Sequence, residues 1–279
     1  MPDEPPQTGE VNPVVTARPV GYTPLTATTN LEMPQIRRSE ALLDLMLIGL
    51  AAIILPYLPG LLAPFELENV EMGEFGLTAI FQKWCEAGLA LGLLCYFVLR
   101  QRIRPATFGL QSRQLGWQVL WSLPTLASMY AALLATSLVV FAVVVLFPAS
   151  ESDLAKRVEF AETMPIDNLA TTILLLAAVA IHEETLFRGL LLPYLRRLLG
   201  SWWAAGLISA LLFAILHVPH QGLLGGVQVL GLGIVLAVFF ILSRSLLAVI
   251  LAHLLFDLLQ FQLMRILPNL QELLEKMEA

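Results

Sequence analysis

Charged side chains are scarce in this sequence: 14% of its residues are Asp, Glu, Lys or Arg, against 57% hydrophobic. Soluble domains carry about 25% charged and about 45–50% apolar residues, so the deficit excludes an ordinary soluble domain. Cysteine is nearly missing. Cys85 and Cys95 fall on one predicted helix, about 15 Å apart along its axis, too far for an internal disulfide. Neither has a histidine at ligand spacing, so no redox or metal role is read from them. No basic segment leading into an apolar core opens the chain, and a cleaved signal peptide is not expected. No internal repeat of fixed period is present. The net charge of −6 says little about partners, because in such a chain placement matters more than the sum.

What is present is apolar and long. Mean hydropathy is +0.76, and several runs reach the roughly 20 residues a bilayer-spanning helix needs. The fold class is therefore an all-α polytopic membrane protein, a bundle of about seven or eight transmembrane helices. Residues 1–38 differ from the rest: seven prolines stand among Thr, Glu, Gln and Asn with no apolar periodicity, which reads as a disordered polar tail. Residues 39–168 hold the first three spans: Ala41–Ala63, with Pro56 and Pro59 bending its far end; near Trp84–Leu99; and Trp117–Phe147, with Pro124 near its start. Residues 169–267 hold a fourth span starting around Leu169, then Trp203–His217, Gly226–Leu242 and Leu246–Leu267. A carboxyl-terminal tail, 268–279, follows.

Loop charges orient the bundle. Arg37 and Arg38 precede the first span, Arg100, Arg102, Arg104 and Arg113 fill the second loop, and Arg196, Arg197 and Arg244 flank later connections on the same side. The first loop is acidic instead, with Glu66, Glu68, Glu71 and Glu74. Counting Lys and Arg puts the amino terminus in the cytoplasm and, with seven spans, the carboxyl terminus outside.

Ionisable groups inside the spans are few: His182, Glu183, Glu184, Arg188, His217, His253 and Asp257. Each costs roughly 2.5–3.5 kcal/mol in hydrocarbon on insertion scales, so such residues usually face the bundle interior and carry function. Glu184 and Arg188 are i and i+4 and meet on one helix face, acid before base. Glu183, about 100° round the helix, is left for other work. An isolated Glu–Arg pair is often only a buried ion pair, and a lone His more often a helix–helix hydrogen bond than a catalyst. His253 and Asp257 are again i, i+4, however, and Phe213 shares a face with His217. Three such coincidences on nearby spans favour one site. Depth agrees: Glu183 lies roughly 15 Å from an end at Pro193, His217 about 21 Å from Trp203 and Asp257 about 16 Å from Leu246, while His253 is shallower at about 10 Å.

In order along the chain, "EETLFR" fits EExxxR, "FAILH" fits FxxxH and "HLLFD" fits HxxxN/D. The ordered triple resembles the CPBP family of intramembrane proteases, which comprises type II CAAX prenyl endopeptidases and bacterial relatives also called Abi or CAAX-protease-like proteins. It covers roughly Leu169–Leu267. The resemblance implies that Glu183 is the general base activating a water, with His217 helping to hold it. It implies that His253 and residue 257 stabilise the oxyanion of a scissile amide, and that Glu184 and Arg188, with Phe213, support them. The chemistry agrees in kind, since amide hydrolysis needs a proton acceptor and a donor aimed at the developing charge. No serine or cysteine stands among these polar residues, so an acyl-enzyme is not indicated.

"HEETL" resembles the start of a zincin HExxH, but position 186 is Leu186, which removes that mechanism. Glu183, His217, His253 and Asp257 are still an acceptable zinc set by residue type, so the cofactor is none or zinc. Many family members carry Asn where Asp257 stands. An ionised Asp beside an oxyanion would oppose it, so the hypothesis is that Asp257 orients His253. The expected partners are a peptide or membrane-protein substrate and the lipid bilayer, with no nucleic acid. A proton-coupled transporter would also bury such groups, yet the inverted repeats or paired broken helices it should show are not found. A catalytically inactive membrane scaffold is the other rival, against which the motif set stands intact.

Overall fold

The computed structural model describes residues 37–54, 72–111, 115–146 and 168–278. The polar tail and the acidic stretch with Glu66, Glu68 and Glu71 lie outside the described residues, as do Arg113, the far end of the first expected span and the third loop. Among the described residues the chain is helical, with no strand. The helices are α1 (Arg38–Ile54), α2 (Met72–Gln101), α3 (Leu115–Leu146), α4 (Leu169–Glu184), α5 (Leu192–Leu199), α6 (Trp202–Ser243) and α7 (Leu246–Glu278). A π-helical segment, Thr185–Leu191, joins α4 to α5, and a short 3-10 turn, Pro105–Phe108, follows α2.

Four helices among the described residues are long and apolar enough to cross a membrane: Leu115–Leu146, Leu169–Leu199, Trp202–Ser243 and Leu246–Leu263. The 17-residue α1, and α2, whose apolar run holds Lys83 and Glu86, do not meet that description. These four do not by themselves establish the expected seven or eight spans. Large apolar side chains face outward along the helices, among them Leu134, Leu138, Phe141 and Val145 on α3. Exposed apolar surface on this scale marks a lipid-facing wall. The protein is an integral membrane protein.

One expectation needs correction. The second helix does not begin near Trp84 but at Met72, so Glu74, read as part of the first loop, falls within α2. The apolar run that guided the expectation starts after Gln82 and Lys83, which interrupt the hydropathy without ending the helix. For the same reason Glu86 lies in mid-helix rather than at a headgroup boundary. The carboxyl-terminal residues, which can be read as an interfacial helix, continue α7 as helical backbone to Glu278.

Helix α6 has 42 residues, about 63 Å of ideal helix, twice the hydrocarbon thickness of about 30 Å. Gly222 resolves the conflict. Its φ of 73° and ψ of 175° are not helical, a conformation open to glycine because it has no Cβ. Contacts on either side show that the chain reverses there. A Cβ on Gly206 would meet Ile241 and Ala237, one on Gly233 would meet Ala210 and Phe213, and one on Gly226 would meet Val218. These pairings define two antiparallel arms, 202–221 and 223–243, packed through glycine and alanine as close helix approach requires. The break falls between the two spans expected at Trp203–His217 and Gly226–Leu242.

One end of the bundle collects its basic residues. Asp44 of α1 accepts from Arg100 Nη1 at 3.0 Å and from Gln101 of α2, while Tyr194 of α5 donates to Gln101 Oε1 at 3.0 Å. Nearby in the chain, Gly109 (φ 79°) accepts from the Leu246 N–H at 2.9 Å. A Cβ there would sit 2.6 Å from the Phe240 ring, so the approach requires glycine. Ser245 donates to Gln118 of α3 at 2.8 Å. These ties bring the start of α1, the end of α2, the end of α5 and the α6–α7 junction together, and with them Arg38, Arg100, Arg196 and Arg244.

Candidate active site

Three helices carry the site. Helix α4 begins at Asn168, whose side chain accepts from the Ala170 N–H at 2.8 Å, an ordinary N-cap. It packs against α2 and α7 and ends at Glu184, where the chain widens into the π segment. Pro193 has no N–H for the carbonyl four residues before it. The Leu192 N–H reaches back to Phe187 O, the longer π-type bond. Single π turns inside α-helices recur at functional sites. The first arm of α6 supplies His217, and α7 supplies His253 and Asp257.

Glu183 stands where these elements meet. Its Oε1 lies 3.8 Å from His217 Nε2 and its Oε2 lies 3.8 Å from His253 Nε2. His217 Nδ1 is 2.8 Å from the Phe213 carbonyl, which can only accept, so Nδ1 holds a proton, and in the neutral ring Nε2 presents a lone pair to Glu183. His253 is placed differently. Its Nδ1 is 2.8 Å from Glu184 Oε1, and its Nε2 is 3.4 Å from Asp257 Oδ2. Carboxylates therefore face both of its ring nitrogens.

Glu184 and Arg188 are sealed, both at 0% exposure. Arg188 Nη1 donates to Glu184 Oε1 at 2.8 Å and Nη2 donates to the Gly233 carbonyl at 3.2 Å. The Arg188 guanidinium also lies 4.6 Å from the Phe213 ring centroid, and that ring packs on His217 at 4.5 Å. Glu183, His217 and Asp257 keep 20–22% of their side chains exposed. The two adjacent glutamates are thus separated: one is locked in an ion pair, and the other can meet water and substrate.

All seven residues singled out from the sequence fall in this cluster: Glu183, His217, His253 and Asp257, with Glu184, Arg188 and Phe213 around them. Among the described residues no group of three or more His, Cys, Asp or Glu side chains is placed to hold an ion. His253 turns one ring nitrogen to Glu184, and its other stands 3.8 Å from Glu183 and 3.4 Å from Asp257.

Two acidic residues escaped the sequence reading. Glu86, fully buried on α2, accepts from Lys83 Nζ at 2.8 Å and stands 3.6 Å from His182 Nδ1, next in the chain to Glu183. Asp44 ties α1 to α2. Their signal was an acid within an apolar run, but both lay near expected helix ends and were passed over. His182 joins Glu86 rather than Glu183's imidazoles.

A carboxylate between two imidazoles inside a lipid-embedded helical bundle is a class of site suited to moving protons. The comparisons with known proteins make that class particular. Residues 165–259 match the family described as Rce1-like, type II CAAX prenyl endopeptidase Rce1-like. An Escherichia coli protein described as "Uncharacterized 24.3 kDa protein" is 32% identical over 165 residues, 58% of this chain and 70% of that protein. No solved structure matches the chain. The chain belongs to the Rce1-like CAAX prenyl endopeptidase family, a family of proteases. Every residue of the cluster lies within the matched stretch, and Asp44 and Glu86 lie before it.

Proposed function

We propose that the protein is an intramembrane endopeptidase that hydrolyses a peptide bond with a water activated by Glu183 and His217. The observation that carries this reading is the pair of 3.8 Å separations flanking Glu183. They are too long for direct hydrogen bonds and suit groups that share a third polar atom. Glu183 Oε1 and His217 Nε2 are both acceptors, so a water between them gives each a hydrogen and keeps a lone pair for attack.

The steps follow from these roles. The water oxygen bonds to the scissile carbonyl carbon, and its proton passes to Glu183. His253, facing carboxylates at both nitrogens, carries N–H on both and donates from Nε2 to the oxyanion. Collapse breaks the C–N bond as Glu183 returns the proton to the leaving nitrogen, giving an amine and a carboxylic acid, which loses its proton to water. Glu184 holds His253 through Nδ1, and Arg188 balances Glu184. Asp257 keeps His253 protonated and oriented. None of these steps requires a metal.

The catalytic core is residues 169–267, and the bundle spans the membrane seven times, counting the two arms of α6 separately. The basic end, with Arg38, Arg100, Arg196 and Arg244, faces the cytoplasm, which places the amino terminus there as well. The substrate is a peptide or a membrane-protein segment reaching the site within the bilayer.

The test is hydrolysis of membrane-anchored peptides by the protein in vesicles, run in oxygen-18 water with products read by mass spectrometry. New carboxyl termini should carry one heavy oxygen, with no substrate attached to the protein. A trapped covalent adduct would overturn the mechanism. In the same assay Asp257→Asn should keep activity within about tenfold, because an amide still accepts from His253. Complete loss, accompanied by loss of a bound metal from the wild-type protein, would make Asp257 a ligand instead.

A further inference from the structure

Outside the catalytic cluster, the basic end holds a second concentration of charge without a counter-ion. The Arg244 guanidinium lies 4.1 Å from the Trp202 ring centroid and that of Arg196 lies 5.7 Å from the same ring. Two guanidinium groups thus gather on one indole. Arg244 is held at φ 55°, the left-handed region, which is unfavourable for a residue with a Cβ. Its backbone is pinned there: its N–H donates to Phe240 O at 2.9 Å, and its carbonyl accepts from Gln111 Nε2 at 2.6 Å. Arg244 Nη1 is buried with no hydrogen-bond partner among the described residues.

No carboxylate relieves this arrangement. Neither Arg196 nor Arg244 forms an ion pair among the described residues. The sequence offers no Asp or Glu between Glu86 and Glu151, or between Glu184 and Asp257. Burial and the neighbouring Arg196 charge push the Arg244 side chain down to about 10. Half-buried like charges held side by side are costly unless something of opposite sign joins them.

We propose that Arg196 and Arg244, gathered on Trp202, form a binding site for the phosphate of an anionic lipid headgroup. Guanidinium groups suit phosphate because their fork of N–H donors matches its oxygens. The position favours a lipid over a free anion. The site lies where α5 ends, α6 begins and α6 meets α7, beside exposed Leu199 (45%) and Trp203 (60%). Tryptophan at span ends belongs to the interfacial belt at headgroup level. An acyl chain entering beside Trp203 and Leu199 would leave its phosphate between the two arginines. Bound there, the lipid clamps the α6–α7 junction to the end of α5, three segments whose relative placement sets His217 and His253 against Glu183.

The experiment is native mass spectrometry of the full chain released from detergent, titrated separately with dioctanoyl phosphatidylglycerol, dioctanoyl phosphatidylcholine and inorganic phosphate. Wild-type protein should retain phosphatidylglycerol in preference to phosphatidylcholine, and inorganic phosphate at equal concentration should not displace it. Arg196→Gln and Arg244→Gln should each weaken retention roughly fivefold, and the double variant roughly twentyfold. Equal retention of the two lipids, or undiminished retention by a folded double variant, would overturn the site. Displacement by inorganic phosphate at equal concentration would overturn the lipid as its source. If the double variant does not fold, the wild-type comparison of the two lipids decides alone.

Discussion

Glu183→Gln is expected to lower kcat for peptide hydrolysis roughly a thousandfold, the scale of losing a positioned general base, with little change in KM or in thermal unfolding. Glutamine has the shape of glutamate and still accepts a hydrogen bond, so water binding survives. What disappears is the capacity to take the water's proton. Stability should hold because the Glu183 side chain is 20% exposed and its imidazole neighbours stand 3.8 Å away rather than in direct bonds. Steady-state kinetics in vesicles, with unfolding followed in the same preparation, separates these outcomes. A variant that cleaves at the wild-type rate would remove Glu183 from the chemistry. A variant that merely fails to fold would make its role structural.

Arg188→Leu is expected to damage the protein in another way, through stability first and activity as a consequence. Arg188 is fully buried, and its loss takes the guanidinium counter-charge from Glu184, leaving His253 Nδ1 as the remaining partner of that oxygen, and takes a donor from the Gly233 carbonyl. Removing one partner of a buried ion pair costs about 3–5 kcal/mol, because an uncompensated charge remains. The Phe213 ring also loses the guanidinium that packs on it, and with it the support of His217. The double variant Glu184→Leu/Arg188→Leu should recover much of the lost stability, since no lone charge is left behind. It should not recover activity, because His253 Nδ1 then has no Glu184 to hold it. Thermal unfolding and cleavage rates of the three proteins together distinguish a stranded charge from a simple packing defect. Equal instability of the single and double variants would contradict the stranded-charge explanation.

The cluster was legible because its parts are local. Glu184 with Arg188, Phe213 with His217, and His253 with Asp257 each sit four residues apart, so helical geometry alone puts each pair on one face. What joins the pairs was not legible. His253 and Glu184 are 69 positions apart, and nothing in their spacing announces that one carboxylate oxygen serves both an arginine and a histidine. The π segment was hidden as well, since Thr185–Leu191 has the composition of any apolar helix and only Pro193 hints at a disturbed ladder. Among the helices, the division of α6 was visible in the gap around Pro219 and Gly222. The start of α2 was not, because Gln82 and Lys83 interrupt the apolar run while the helix continues through them. That single displacement concealed Glu86, whose partner His182 comes from a different helix altogether.

The most direct measurement is a double-mutant cycle on hydrolysis of a membrane-anchored peptide in vesicles, using Glu183→Gln, His217→Ala and the two combined. If both side chains hold and deprotonate one water, they act as a unit, and losses within such a unit do not add. The expected result is that each single variant is severely impaired and the double variant falls no further than Glu183→Gln alone. A wild-type rate in either single variant, or a double variant whose loss is the product of the two single losses, would contradict a shared hydrolytic site.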